Sequence, residues 1–138
     1  PDMLFIKYLN SYTNKKPFVL YNYGNYIRDF TYIDDVVDVL FKSLRIGKIR
    51  KKIINICSSN PININDVIKI IDKTFYKKKK IEFKKRRKGE MIKTFGDNKY
   101  VFKLIKNKKF INIKYGIKKT VDWYKSYKQK NYLQFNKF

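Results

Sequence analysis

Arg28-Asp29-Phe30-Thr31-Tyr32-Ile33-Asp34-Asp35-Val36 changes character partway along. Residues 28–33 read as an extended, β-rich run, and Asp34 or Asp35 stands where a helix N-cap is expected. Beyond that cap, Val36, Val37, Leu40, Phe41 and Leu44 recur at helical spacing and give the helix one apolar face, with Gly47 at its expected stop. An extended run leading into an amphipathic helix fits an α/β chain better than an all-helical or all-β one.

Working upstream, Met3, Leu4, Ile6, Lys7, Tyr8 and Ser11 give a mixed helical period ending near Asn14. Pro17 to Tyr21 reads as a short strand, and Asn22-Tyr23-Gly24-Asn25 as a turn. Downstream, Lys52 to Cys57 reads as a buried strand because Ile53, Ile54 and Ile56 are β-branched, and Ser58-Ser59-Asn60-Pro61 breaks it. Asn65 is the expected N-cap of a helix carrying Val67, Ile68, Ile71 and Phe75. A strand over Ile81 to Lys84 interrupts the lysine-rich stretch from Lys77 to Lys88. A short helix from Asp97 to Ile105 follows, then a last amphipathic helix from about Ile113 to Tyr127, with Ile117, Val121 and Tyr124 on one side and Trp123 beside them.

With 138 residues, 43% of them hydrophobic, the chain can bury the core of one small domain or form a piece of a larger one. The absence of a starting Met favours the second, and we read the sequence as a fragment. It holds no run of about 20 apolar residues, so no membrane span is expected and a cytoplasmic location fits. Cys57 is the one cysteine and histidine is absent, which excludes a disulfide or a His/Cys metal site within one chain. The net charge of +23 would ordinarily suggest nucleic acid. Alanine, however, is missing while Lys, Ile, Asn, Tyr and Phe abound, a bias toward AT-rich codons that explains the lysines without a ligand. The competing reading is a basic nucleic-acid-binding module using Lys77 to Lys88 with Tyr76 and Phe83.

Catalytic signals are sparse. None of the five glycines falls in a Gly-x-Gly-x-x-Gly or phosphate-loop pattern. Tyr-x-x-x-Lys recurs, as at Tyr12 with Lys16, Tyr76 with Lys80 and Tyr124 with Lys128, but chance alone gives roughly 2.5 such pairs at this composition. No catalytic residue is assigned. Asp34, Asp35 and Asp38 read as helix-start residues and not as a metal or acid/base cluster. Arginine is more informative, since a guanidinium can grip a phosphate with two parallel hydrogen bonds. Arg28 follows a Gly-containing turn, and Arg86-Arg87 precede Lys88-Gly89-Glu90 in an expected loop.

Pro1-Asp2-Met3 and the stretch Asn22 to Val36 together closely resemble the C-terminal half of UDP-glucuronate 4-epimerases, a branch of the extended short-chain dehydrogenases. Ile54-Asn55-Ile56, Arg87-Lys88-Gly89-Glu90, Thr94-Phe95-Gly96-Asp97 and Val121-Asp122-Trp123-Tyr124 follow in the matching order. The resemblance implies an α/β, Rossmann-type fold of which residues 1–128 are the nucleotide-sugar-binding portion and 129–138 a polar tail, the N-terminal cofactor-binding half being missing. It implies that Arg28 and Arg87 contact the diphosphate of a UDP-sugar. Leu20 and Tyr21 then line the uridine pocket, and Glu90, in place of the usual aspartate, meets the ribose or steadies the loop. NAD, the catalytic Tyr and Lys, and the glycine-rich turn belong to the missing half, so this chain alone is expected to bind and not to catalyse. The implied partners are the UDP-sugar and the Rossmann half, in the same or a separate chain, with a homodimer of the parent open. A related dehydratase or decarboxylase remains the alternative within the fold.

Overall fold

The third helix organises the core. Ile64, Val67, Ile68 and Ile71 fall on one side of it and are almost fully buried. The computed structural model describes residues 3–13, 16–46, 53–106 and 109–135, with side chains through residue 129. Pro1, Asp2, Asn14, Gly47, Lys52 and residues 136–138, used above, lie outside the described residues. The elements are α1 (Leu4–Ser11), β1 (Phe18–Tyr21), a single 3-10 turn (Asn22–Gly24), β2 (Ile27–Arg28), α2 (Ile33–Leu44), β3 (Ile62–Asn63), α3 (Ile64–Phe75), β4 (Ile81–Lys84), α4 (Lys99–Ile105) and α5 (Ile113–Phe135).

β1 and β4 pair in parallel, from Phe18 opposite Ile81 to Tyr21 opposite Lys84. β2 and β3 pair antiparallel, and Ile27 adds a parallel bridge to Lys93. The main cluster joins Tyr8 and Leu9 of α1, Leu20 of β1, the α3 face, and Ile117, Val121 and Tyr124 of α5. A smaller one gathers Val39, Val101 and Ile105. The tyrosine hydroxyls in the main cluster are all satisfied, as burial requires. Tyr8 and Tyr12 both donate to Asp72 Oδ1, and Tyr124 donates to Asn10 Oδ1 at 2.8 Å. Burial first, and then the Asp72 carboxylate, push both the Tyr8 and Tyr12 hydroxyls well above the ordinary tyrosine pKa.

Several expectations are corrected. Residues 53–57 form no strand: no ladder partner lies beside them among the described residues, and Ile53 is 99% exposed. β-branched residues favour a strand only where a neighbour supplies the ladder. The third strand is Ile62–Asn63 instead. α3 is capped by Asn63, whose side chain accepts from the Asn65 N–H, so Asn65 is not the cap. α2 begins at Ile33 after Tyr32, which places Asp34 and Asp35 in its first turn, where they suit the helix dipole without capping. The paired strand there is confined to Ile27–Arg28. α4 begins at Lys99, with Asp97 Oδ1 accepting the Lys99 N–H at 2.8 Å, and α5 continues to Phe135.

The turn after β1 requires glycine. Gly24 has φ +77°, and a Cβ there would lie 2.1 Å from Asn65 Oδ1. That amide is held in place, since Asn65 Nδ2 donates to the Tyr23 carbonyl at 3.1 Å. Gly24→Ala should lower unfolding stability by about 1–3 kcal/mol, read from urea denaturation.

Candidate functional site

Leu20, Tyr21, Arg28, Arg87 and Glu90 all line one open cavity of about 770 Å³. Sequence separates them widely, and three features of the fold bring them together. The β1–β4 pairing sets Leu20 and Tyr21 beside the start of the 85–92 loop. The Asn22–Gly24 turn reverses the chain from β1 into β2, which carries Arg28. The backbone bond from Ile27 N to Ile92 O, 2.9 Å, then ties β2 to the far end of that loop.

Arg28 is already well anchored. Its Nη1 donates to the Ile27 and Ile92 carbonyls at 2.8 and 3.1 Å, and its Nη2 to the Met91 carbonyl at 2.6 Å. The guanidinium lies 5.0 Å from the centre of the Tyr26 ring. A guanidinium has five N–H donors, so these bonds fix its plane while leaving donors for a ligand. The Arg87 guanidinium lies over Tyr21, 3.6 Å from the ring centroid, and the contact with the Tyr21 side chain pushes its pKa further up. Glu90 accepts a hydrogen bond from the Tyr26 hydroxyl. Burial, then this bond, raise the Tyr26 pKa, so the hydroxyl stays protonated and remains a donor.

Sequence reasoning missed Lys7 and Lys16, which also line the cavity. Among the described residues, the lining thus sets Lys7, Lys16, Arg28 and Arg87 against the carboxylate of Glu90, a field suited to a dianionic ligand. In a chain this rich in lysine, no local pattern marks those two. Tyr26 was also missed, because its contact with Glu90 joins residues remote in sequence.

Asp29 is the larger omission. Its Oδ1 accepts from Ser58 Oγ and, at 3.4 Å, from the Asn60 N–H, while its Oδ2 accepts the Ser59 and Gly96 N–H groups at 2.9 and 3.3 Å. Thr31 Oγ1 accepts the Ser58 N–H at 3.1 Å, and Asn98 Nδ2 donates to the Ser58 carbonyl at 2.9 Å. Asp29 therefore ties β2 to residues 58–60 and 96–98. Asp35 also has a structural part: its Oδ2 accepts the Ile111 N–H at 3.0 Å, while burial pushes its carboxyl above the usual range against that bond.

Among the described residues, none of the Tyr-x-x-x-Lys spacings named above gains support as a catalytic pair. Tyr12 and Tyr124 spend their hydroxyls on Asp72 and Asn10, and Tyr76 is a left-handed helix end at φ 55°. The same spacing occurs at Tyr115, whose ring lies 5.4 Å from Lys119 Nζ. Among the described residues, no group of three or more His, Cys, Asp or Glu is placed to hold a metal ion, and no helix is long and apolar enough to cross a membrane. The chain also does not fit a dinucleotide: its glycines, at 24, 47, 89, 96 and 116, never take the spacing of a pyrophosphate-binding turn.

Residues 1–57 match the NAD dependent epimerase/dehydratase family. The UDP-glucuronate 4-epimerase of Thermodesulfobacterium geofontis is 34% identical over 126 residues, covering 91% of this chain and 38% of that protein. The UDP-glucuronic acid 4-epimerase of Bacillus cereus, solved in complex with UDP-glucuronic acid and NAD, superimposes with a TM-score of 0.81 at 28% identity, over 91% of this chain and 40% of the other. TunA, an NAD-dependent NDP-hexosamine 5,6-dehydratase, gives 0.77 at 28% identity, over 91% and 41%. By fold, then, the molecule is an α/β portion of a Rossmann-type extended short-chain dehydrogenase. The chain belongs to the NAD-dependent epimerase/dehydratase family, and it spans about two fifths of the length of these relatives.

Replacing the Asp29 carboxylate by a carboxamide turns one acceptor oxygen into a donor facing other donors. Asp29→Asn should cost about 2–3 kcal/mol of unfolding free energy, measured in urea, with Asp29→Ala at least as severe.

Proposed function

We propose that this chain is the substrate-binding part of an NAD-dependent nucleotide-sugar epimerase, nearest to UDP-glucuronate 4-epimerase, and that the cavity around Arg28 and Arg87 holds the UDP moiety. The observation carrying this reading is that all five residues singled out from the sequence line one cationic cavity. In this reading Arg28 and Arg87 grip the diphosphate from opposite walls, Leu20 and Tyr21 face the uridine, and Glu90 steadies the loop bearing Arg87. Bidentate donors fixed in advance suit a diphosphate because little ordering remains to be done on binding.

NAD belongs, in this proposal, to the part of the parent protein beyond this chain, since the residues present do not fit it. Epimerase activity is likewise a property of the whole, cytoplasmic, protein. α2 supports the existence of that further part. Leu40, Phe41 and Leu44 are 53, 66 and 82% exposed on one face, and Ile33 and Val37 extend it. An apolar strip of this kind asks for cover, and we assign the cover to the cofactor-binding half. The TunA match, at the same identity as the Bacillus cereus epimerase, favours a dehydratase as the second reading, with the same nucleotide site.

The test is titration with UDP at two salt concentrations, with a single-stranded oligonucleotide as control. Saturable UDP binding that weakens about tenfold or more in both Arg28→Ala and Arg87→Ala is the expected result. A folded chain that ignores UDP but binds the oligonucleotide in a steeply salt-dependent way would replace this reading with the basic-module one. Separately, Phe41→Glu with Leu44→Glu should leave the isolated chain folded and more soluble, while abolishing its co-purification with the cofactor-binding half.

A further inference from the structure

We infer that Tyr26 is the positioning residue of the nucleotide site, fastening Arg28 and the Arg87-bearing loop in one arrangement; this rests on the nucleotide reading above. Tyr26 is 7% exposed and stands where β2 begins. Its two ends act on the two walls of the cavity. The ring lies against the Arg28 guanidinium, and the hydroxyl donates to Glu90, three residues after Arg87.

The loop needs such a fastening. Gly89 sits at φ +85° with open space around it, and the Glu90 N–H reaches the Arg87 carbonyl at a long 3.4 Å. Residues 91–92 are held by the Arg28 guanidinium and by Ile27, but residues 85–90 are tied to the start of β2 by the Tyr26–Glu90 bond and to the end of β1 by the Arg87 contact with Tyr21. Tyr21 and Tyr26 bracket the Asn22–Gly24 turn, so one rigid turn presents one tyrosine to each arginine. Backbone bonds at the start of β2 hold Tyr26 in turn: its N–H donates to the Gly24 carbonyl, and its carbonyl accepts the Ile64 N–H, at 2.8 and 2.9 Å. The Glu90 carboxylate is thereby committed to Tyr26. Its part in binding is to place Arg87, and Tyr26 acts on the diphosphate only through the arginines.

The experiment compares the 138-residue chain with Tyr26→Phe, Glu90→Gln, Glu90→Ala and the double variant Tyr26→Phe/Glu90→Ala, using Tyr124→Phe as a control that removes a distant tyrosine hydroxyl. Amide exchange is measured without ligand, and affinities for UDP and for uridine follow. Tyr26→Phe is expected to speed exchange across residues 87–92, to leave α3 and α5 unchanged, and to weaken UDP about 5- to 10-fold with uridine unaffected. Glu90→Gln, which keeps an acceptor oxygen, should retain wild-type UDP affinity, Glu90→Ala should match Tyr26→Phe, and the double variant should be no worse than either. Unchanged loop exchange in Tyr26→Phe, equal losses for UDP and uridine, or a Tyr124→Phe loss of the same size would each overturn the proposal. If the wild-type chain takes up no UDP, the nucleotide reading falls, and the exchange result alone decides whether Tyr26 fastens the loop.

Discussion

The carboxylate of Asp29 holds together what the apolar core does not. The main cluster covers α1, α3, α5 and β1, but the irregular segments 58–60 and 96–98 have little apolar surface with which to join it. Four donors converge on Asp29 from those segments, and Ser59 Oγ adds a bond to the Gly96 carbonyl at 2.7 Å. Backbone groups in a loop must be satisfied somewhere, and here one side chain adjacent to Arg28 satisfies several at once. The same residue stretch therefore places the site's arginine and anchors the loops behind it.

The molecule divides its surfaces by role. One wall of the chain is cationic and concave, with side chains already fixed by aromatic rings and carbonyls. Another, along α2, is apolar and uncovered. Both are costly in isolation, the first through like-charge repulsion and the second through exposed hydrocarbon, and both become favourable when occupied. That pairing is consistent with a chain whose relatives are more than twice its length.

Much of this was legible in the sequence. α1, α3 and α5 follow from apolar spacing, and β1 and β4 from short β-rich runs bounded by breakers, because in these elements the buried face is set within the chain itself. The buried side of α5, Ile117, Val121 and Tyr124, is the one the period indicates. The family was legible from residues 22–36, and the arginines stood out because a guanidinium can grip a phosphate with two hydrogen bonds. What failed depended on distant partners. Several asparagines could have capped α3, and the choice of Asn63 goes with the bond from Ile64 N to the Tyr26 carbonyl, which no local pattern announces. The Ile53–Ile56 segment has strand-forming residues but, among the described residues, no neighbour to pair with. Asp29, Tyr26, Lys7 and Lys16 were invisible for the same reason, since their roles arise from contacts across the fold.

The parallel pairing of Phe18–Tyr21 with Ile81–Lys84 also sets an order of events during synthesis. A parallel pair cannot close as a hairpin; everything from the turn at Gly24 through α3 must be threaded between its strands. On the ribosome, Arg28 emerges ahead of Arg87, and the cavity has no second wall until β4 and the loop after it have left the exit tunnel. A chain arrested before that point would lack α4 and α5, with the Val101, Ile105, Ile117, Val121 and Tyr124 they give to the core, and would have no anion-binding site, so ligand present during translation could capture only the finished strand pair.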